Sequence, residues 1–296
     1  MKKALLFLCL FIGSQTIEAA NNCDDCSPCD TYDVCASSKG WFGDIGFSAY
    51  IDALYWQVGD NDLLIIDDTK AIIGTIVDTL NVDYDWGWRI GGLVSRGKWD
   101  LGVRYTSYST KAKKVGTITE STTSEYAFKY CVFDIETGVS CCICDNLLLR
   151  PFLGVKIADI HLKQENISGF QARFRRELDG TGLYIGLDGR WGLCTFSPCG
   201  CEIPVVFVTR LSTGVLDADY TFKNLSLETQ YKECQFTPVH ELYAAIEFSK
   251  CSVCCADLFL QIGYEVQYWG WKDIDNISSV AHLGMGGLVL RFGGRF

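Results

Sequence analysis

The sequence predicts an all-β protein: a transmembrane antiparallel β-barrel of about 12 strands, with about 12–16 strands allowed by the pattern. Three observations lead to this fold class. Apolar and polar residues alternate along much of the chain, and the gaps between the alternating segments are long and short in turn. After residue 20, no apolar run approaches the roughly 20 residues that a spanning helix requires.

The first 20 residues predict export from the cytoplasm. Two lysines precede an apolar stretch at 4–13, and small residues follow at Ala19 and Ala20. This order is typical of a secretory signal peptide, and the apolar stretch is too short to serve as a membrane anchor. We therefore divide the chain into a signal peptide at 1–20, a Cys-rich periplasmic segment at 21–40 and an outer-membrane β-barrel at 41–296.

Alternating segments predict the strands of the barrel. From Trp41 to Gln57 the odd positions are mostly apolar or aromatic, whereas the even positions include Asp44, Ser48 and Asp52. Such a period of two residues indicates a strand with two different surroundings. The predicted strands are 41–57, 84–94, 98–105, 126–135, 147–158, 167–177, 181–191, 203–213, 216–224, 239–248, 257–269 and 284–296.

A membrane barrel fits these segments better than a soluble β-sandwich does. Strands of a sandwich are usually about 5–6 residues long, whereas a tilted membrane strand needs about 9–11. The apolar faces often begin or end in aromatic residues, such as Trp86, Trp99 and Tyr268. Aromatic girdles of this kind border the apolar band of outer-membrane barrels.

The gaps between the predicted strands support the same topology. The first and third gaps, at 58–83 and 110–125, are long, whereas those around Arg96 and at Asp179–Gly180 are short. Outer-membrane barrels have long external loops and short periplasmic turns. With the N-terminus in the periplasm, the odd-numbered gaps are therefore predicted to be external.

A cysteine cluster, CDDCSPCDTYDVC at 23–35, precedes the first strand. Its spacing is compatible with zinc, but no neighbouring histidine supports a metal site, and disulfides persist in exported proteins. We expect disulfides here, and no metal or cofactor. The chain has 16 cysteines, so removal of Cys9 with the signal leaves an odd number. Either one thiol then stays free or one bridge joins two chains.

Two function classes are disfavoured by the sequence. The net charge of −10 becomes one unit more negative without residues 1–20, which argues against a nucleic-acid partner. The three histidines, at His161, His240 and His282, are far apart in sequence. Because no motif pairs a nucleophile with an oriented base, we expect no enzyme activity.

Five stretches resemble the major outer membrane protein-like porins of Legionella and the Chlamydiae. The likeness runs from about residue 41 to the C-terminus. The stretches, in the order in which the family has them, are GFSAYIDALYWQ (46–57), LLLRPFLGVKIADI (147–160), GTGLYIGLDGRWGL (180–193), LFLQIGYEVQYWGW (258–271) and GGLVLRFGGRF (286–296).

The resemblance implies a barrel in the bacterial outer membrane that allows passive diffusion of small solutes. It also implies contact with outer-membrane lipid, recognition of the terminal Phe296 by the barrel-assembly machinery, and assembly into homo-oligomers. Chlamydial relatives suggest disulfide links to other Cys-rich envelope proteins. One alternative stays open: a closed structural or adhesin barrel whose external loops bind partners.

The cysteines are candidates for disulfides inside the chain or to other envelope proteins. Cys131 is predicted to lie within a strand. The candidates predicted to be periplasmic are Cys23, Cys26, Cys29, Cys35, Cys141, Cys142, Cys144, Cys251, Cys254 and Cys255, and those predicted to be external are Cys194, Cys199, Cys201 and Cys234.

Charged residues of both signs lie on the polar faces of the predicted strands and are candidates to line a pore. Rings of charged side chains set the ion preference of pores. The alternative is that these residues pair with one another and plug the lumen. The candidates are Asp52, Arg89, Asp100, Arg104, Arg150, Lys156, Asp188, Arg190, Arg210, Glu241, Glu265 and Arg291.

Overall fold

The structure is a computed structural model that describes residues 45–64, 79–81, 83–115, 123–166, 173–196, 203–225, 228–253, 256–270 and 282–296. The predicted signal peptide and Cys-rich segment lie outside these ranges. No helix in the described ranges is long and apolar enough to cross a membrane. The strands are β1 (Ile45–Leu64), β2 (Thr79–Asn81), β3 (Asp85–Arg96), β4 (Trp99–Val115), β5 (Thr123–Val139), β6 (Cys141–Cys144), β7 (Leu147–Asn166), β8 (Arg173–Phe196), β9 (Ile203–Asn224), β10 (Thr229–Val253), β11 (Ala256–Gly270) and β12 (His282–Arg295).

Ten of these strands form a closed antiparallel barrel. Each long strand pairs with the next long strand along the chain, and β12 pairs with β1 from Ser48–Arg295 to Gly59–Gly284. The short β2 pairs with the outer end of β1, beyond the barrel, and the short β6 pairs with the start of β7. Because the first and last strands pair, these ten strands leave no open sheet edge.

The predicted count of about 12 strands is therefore too high, because two predicted turns lie inside strands. Asp179–Gly180 has the composition of a hairpin turn, yet Asp179 pairs with Asp159 on one side and Asp219 on the other, in the middle of β8. The predicted break at 214–215 is also continuous strand, within β9. A Cβ on Gly214 would lie 2.6 Å from Cβ of Tyr184 and 2.7 Å from the carbonyl oxygen of Leu183, so this glycine allows close contact with β8 and does not form a turn.

Two tight turns define one end of the barrel. Arg96 pairs with Trp99 across Gly97, whose φ of 61° suits a two-residue hairpin turn. The second turn lies at Asp145–Asn146, between β6 and β7. We call this the short-turn end, and the opposite end, where the chain passes from β1 to β3 and from β11 to β12, the long-loop end.

Exposed apolar side chains surround the outside of the barrel. Those of β4, β5 and β7 repeat every second residue, as expected for strands with one face in lipid. Trp86 and Trp99 are 65% and 64% exposed and lie towards opposite ends of β3 and β4. We call this surface the apolar belt; its members include Ile51, Ile90, Leu101, Val103, Phe133, Ile135, Leu153, Ile157, Leu183, Ile185, Leu211, Ile262 and Leu290.

The C-terminal residue closes the short-turn end. The backbone amide of Phe296 donates to the carbonyl of Phe47 over 2.7 Å, and the amide of Phe47 donates back over 3.1 Å. The two rings also pack at 5.9 Å between centroids. The role of Phe296 as an assembly signal stays a prediction.

Candidate functional site in the barrel interior

The inner face of the barrel carries a dense network of charged side chains. All twelve of the predicted pore-lining residues form ion pairs within it. Four further charged residues, Asp134, Glu136, Glu247 and Arg295, complete the network. Acidic and basic members are equal in number, so the network is neutral when all of them are ionised.

Asp52 and Arg89 join the first strand to its neighbours. Arg89 donates two hydrogen bonds to Glu265, of 2.7 and 2.8 Å, and approaches Asp52 Oδ2 at 3.3 Å. On the other side, Arg291 donates to both oxygens of Asp52 over 2.7 and 2.9 Å. Asp52 therefore lies between two guanidinium groups and accepts charge-assisted hydrogen bonds from both.

A second group of ion pairs is centred on Lys156 and Arg104. Lys156 Nζ lies 2.8 Å from Asp134 and 2.7 Å from Glu241, and Arg104 lies 2.8 and 3.0 Å from the same two residues. Ser212 donates a further hydrogen bond of 3.2 Å to Glu241. The side chains of Lys156 and Asp134 are each 1% exposed. Two cations and two anions thus pair with one another where little water reaches them.

A third group lies nearer the short-turn end. Arg150 donates to Asp100 over 2.7 Å, to Glu136 over 3.0 Å and to Asp188 over 2.6 Å. Arg210 pairs with Glu136 as well and lies 3.4 Å from Asp188.

A fourth group surrounds the buried Glu247. Arg190 and Arg295 approach this carboxylate at 2.7 and 2.8 Å, and Gln261 donates to it over 2.6 Å. Arg190 and Arg295 are 23% and 28% exposed, so water reaches this part of the network.

An aromatic layer fills the interior towards the long-loop end. Trp56, Tyr108, Tyr130 and Trp269 are at most 1% exposed, and Tyr130 packs on Trp269 at 5.7 Å between ring centroids. Two of these rings share a polar partner: the Tyr130 hydroxyl donates to Oε1 of Gln267 over 2.8 Å, and the Trp269 indole donates to the same oxygen over 3.2 Å. The indole nitrogen of Trp56 is buried without a hydrogen bond to any described residue. The guanidinium of Arg89 lies 5.3 Å from the Trp56 ring and joins the two layers.

Small residues allow this filling. A Cβ on Gly91 would lie 2.3 Å from the ring of Tyr50, and one on Gly186 would lie 2.2 Å from the ring of Phe152. Small and large residues therefore alternate across the lumen, which is how narrow barrels fill their interior. The described interior is a packed, paired core.

Sequence reasoning identified the inner face but missed part of the network. Asp134 and Glu136 are at even positions, like the inward-facing Tyr130 and Val132 of the same strand, and Glu247 is at an odd position, like Glu241. The odd or even position within the strand was therefore the signal that could have found them. The pairing itself could not be seen, because partners such as Asp52 and Arg291 are 239 residues apart in sequence.

The cysteine predictions fare differently by position. The structure describes thiols, rather than disulfides, at Cys131, Cys141, Cys144, Cys194 and Cys234, whereas Cys142 is disulfide-bonded. Intermolecular bridges stay a prediction. The side chains of the other candidates lie outside the description: Cys23, Cys26, Cys29, Cys35, Cys199, Cys201, Cys251, Cys254 and Cys255.

The strand count corrects the side assigned to some of these cysteines. Cys194 was predicted to be external, but β8 is continuous from the long-loop end to the short-turn end, and Cys194 lies near the short-turn end. Cys199 and Cys201, also predicted to be external, lie outside the described residues. Cys234 lies near the long-loop end, in the outer part of β10, where its thiol lies 2.9 Å from Asp219.

Comparisons with known proteins identify the family. A model described as the Legionella pneumophila major outer membrane protein precursor matches residues 44–278. The chain belongs to this family. It is therefore an outer-membrane β-barrel, and the short-turn end is assigned to the periplasm. No match was found among curated proteins.

Solved barrels give weak structural likenesses. The outer membrane protease OmpT from Escherichia coli aligns with a TM-score of 0.48 and 9% identity, over 85% of this chain and 96% of that protein. The Pseudomonas putida toluene transporter TodX has a TM-score of 0.34 and 8% identity, over 88% and 91%. The Ralstonia pickettii toluene transporter TbuX has a TM-score of 0.35 and 10% identity, over 88% and 90%. Likenesses this weak carry no functional conclusion.

Proposed function

We propose that this protein is a closed structural barrel of the outer membrane, whose external surface rather than its lumen performs its function. The observation that carries this proposal is the filled interior. Lys156 and Glu247 are 1% and 0% exposed, although both are charged and both lie inside a barrel. A solute-filled channel would instead leave such side chains hydrated, since burial of a charge is costly unless the charge is paired.

Two successive layers oppose permeation. A solute from the periplasm would first have to part the ion pairs around Lys156 and then the rings of Trp56, Tyr130 and Trp269. Breaking a buried ion pair costs about 3–5 kcal/mol, and the second group contains four such contacts. Thermal opening of the described interior is therefore rare on this proposal.

A passive diffusion porin is the second candidate. The observation that favours it is the water-accessible part of the network at the periplasmic end, where Asp188, Arg190 and Arg295 are 20–28% exposed. Charged residues of both signs around an aqueous entrance are typical of pores. This candidate requires a second conformation in which the inner groups separate.

A permeability assay distinguishes the two candidates. The mature chain would be expressed in the outer membrane of a porin-deficient bacterium, and nitrocefin hydrolysis by a periplasmic β-lactamase would be measured. A closed barrel leaves the rate at that of cells without the protein, while an established porin expressed to the same level raises it. A rate that rises with the amount of this protein would overturn the closed-barrel proposal.

We also infer that the protein is not an enzyme. His161 Nε2 lies 2.7 Å from Asp159 on the outer wall of the barrel, but no hydrogen bond joins this imidazole to a hydroxyl or thiol of the described residues. Assays with lipid and peptide substrates test this inference.

A further inference from the structure

A basic groove lies on the outer wall of the barrel near the long-loop end. Its volume is about 640 Å³, and β4, β5, β7 and β8 form it. The charged and titratable side chains that line it are Asp85, Lys111, Lys129, His161, Lys163 and Arg175.

Strand register brings the cations of this groove together. Lys111 pairs with Ala127, Ala127 with Lys163 and Lys163 with Arg175, so three cations lie on one row of four adjacent strands. Since neighbouring strands are about 4.8 Å apart, this row spans roughly 14 Å. Lys129 belongs to the next row towards the membrane, where it pairs with His161.

The positive charge of the groove is only partly neutralised by the protein. Within the described part of the chain, neither Lys111 nor Lys129 forms an ion pair. Lys163 and Arg175 do have carboxylate partners, Glu165 and Glu177, each two residues away along its own strand. A cluster of like charges repels itself, so a bound anion would stabilise it.

His161 also lines the groove, but acidic residues already face both of its ring nitrogens. Nε2 lies 2.7 Å from Asp159 and Nδ1 lies 3.9 Å from Glu177. The positive charge of the groove therefore comes from its lysines and its arginine.

The position of the groove indicates that the anion belongs to a lipid. Below Lys111 the outward residues of β4 are Ser109, Ser107 and then Tyr105, and below Lys129 on β5 they are Cys131 and Phe133. The path along β4 and β5 from the groove to the apolar belt therefore carries no acidic residue, whereas Asp159, Glu177 and Asp179 lie below the groove on β7 and β8. A lipid would thus lie over β4 and β5. Lys129 lies two outward steps above Phe133 and Lys111 three above Tyr105, so along tilted strands the groove lies roughly 10–15 Å above the apolar belt, at the outer side of the headgroup region.

We propose that this groove binds the phosphate group of a phosphorylated glycolipid in the outer leaflet. Lysines bind phosphate as point charges, and an arginine can donate two parallel hydrogen bonds to it. The acyl chains would then lie against the apolar belt beneath Tyr105 and Phe133.

The test uses the full mature chain folded in detergent micelles and native mass spectrometry. Three probes are compared: diphosphoryl lipid A, the same lipid after enzymatic dephosphorylation, and inorganic phosphate. We expect the protein to retain diphosphoryl lipid A at concentrations at which neither of the other two probes is retained. Equal retention of the dephosphorylated lipid would overturn the phosphate site, and equal retention of inorganic phosphate would overturn the lipid assignment.

Charge-matched variants locate the site. The triple variant Lys111→Gln, Lys129→Gln, Arg175→Gln should bind diphosphoryl lipid A roughly 100-fold more weakly, since each cation near an anionic surface contributes roughly fivefold. The control, Arg96→Gln, Lys98→Gln, Lys232→Gln, removes the same charge elsewhere and should bind as the wild type does.

Folding of both variants is checked by heat-dependent mobility on gels. Should the triple variant fail to fold, Lys129→Gln alone takes its place, with an expected loss of roughly fivefold. Wild-type affinity in a folded groove variant would overturn the proposal.

Discussion

At the scale of single residues, Lys156 shows how strongly the inner ion pairs depend on one another. Its ammonium group contacts both Asp134 and Glu241, and all three are almost completely buried. Removing one charge from such a group leaves an uncompensated buried charge, whereas an exposed pair has water as a substitute partner. The same type of contact therefore has a very different effect on stability inside and outside the barrel.

We predict that Lys156→Met lowers the free energy of unfolding by about 3–5 kcal/mol. The matched control is Lys232→Met, which removes an exposed pair with Asp219 and should cost no more than about 1 kcal/mol. Urea unfolding in lipid vesicles, followed by tryptophan fluorescence, measures both. Equal losses in the two variants would mean that the inner network is hydrated.

The charge of Asp179 lowers the stability of the fold at neutral pH, in contrast to the charges of the inner carboxylates. It lies above the apolar belt, between Asp159 and Asp219 in the strand register, and burial together with the charge of Asp159 raises its pKa. Because the raised pKa belongs to the folded state, the charged carboxylate destabilises the fold above that pKa. The penalty disappears as the pH falls through the folded and then the unfolded pKa.

Asp179→Asn is therefore predicted to be more stable than the wild type at pH 7, by a few tenths of a kcal/mol, as for like charges on neighbouring strands. The difference should shrink as the pH is lowered and vanish below the ordinary pKa of aspartate. Urea midpoints of both proteins across this pH range provide the measurement. A variant that is less stable at pH 7 would show that Asp179 has a favourable partner instead.

At the scale of elements, the period of two residues predicted the strands and their faces well. The side chains of Arg104, Lys156 and Glu241 lie inside, as the polar face of each predicted strand indicates. The breaks within β8 and β9 were predicted wrongly, because a local sequence cannot show whether Asp179–Gly180 is a turn or a strand with neighbours on both sides. Those neighbours come from β7 and β9.

An insertion experiment tests the continuity of β8. A short epitope between Asp179 and Gly180 should prevent assembly, because it would break pairing with both β7 and β9. The same epitope after Leu225, in the connection from β9 to β10, should be tolerated and reach antibodies on intact cells. Assembly is measured by heat-dependent mobility and exposure by antibody binding. Normal assembly of the variant with the epitope at 179–180, hidden from antibodies on intact cells, would restore the twelve-strand topology, in which this gap is a periplasmic turn.

At the scale of the whole molecule, the number of strands decides what the charges do. Barrel diameter grows with strand number, so twelve strands would leave more room between the same side chains. With ten strands, Arg104 reaches Glu241, a residue on a strand that does not pair with its own. On our proposal, closure of the sheet brings these charges together and favours a plugged lumen over a charged constriction, and no local pattern encodes that closure.

The most direct test of the closed barrel is single-channel conductance of the refolded mature chain in a planar bilayer. Insertion would be verified by protease protection in matched vesicles, and an established porin would serve as the positive control. We predict an inserted protein without discrete current steps, because the paired charges and the aromatic layer fill the described lumen. Reproducible steps of uniform size, in proportion to the amount of inserted protein, would contradict the closed barrel and establish a diffusion pore.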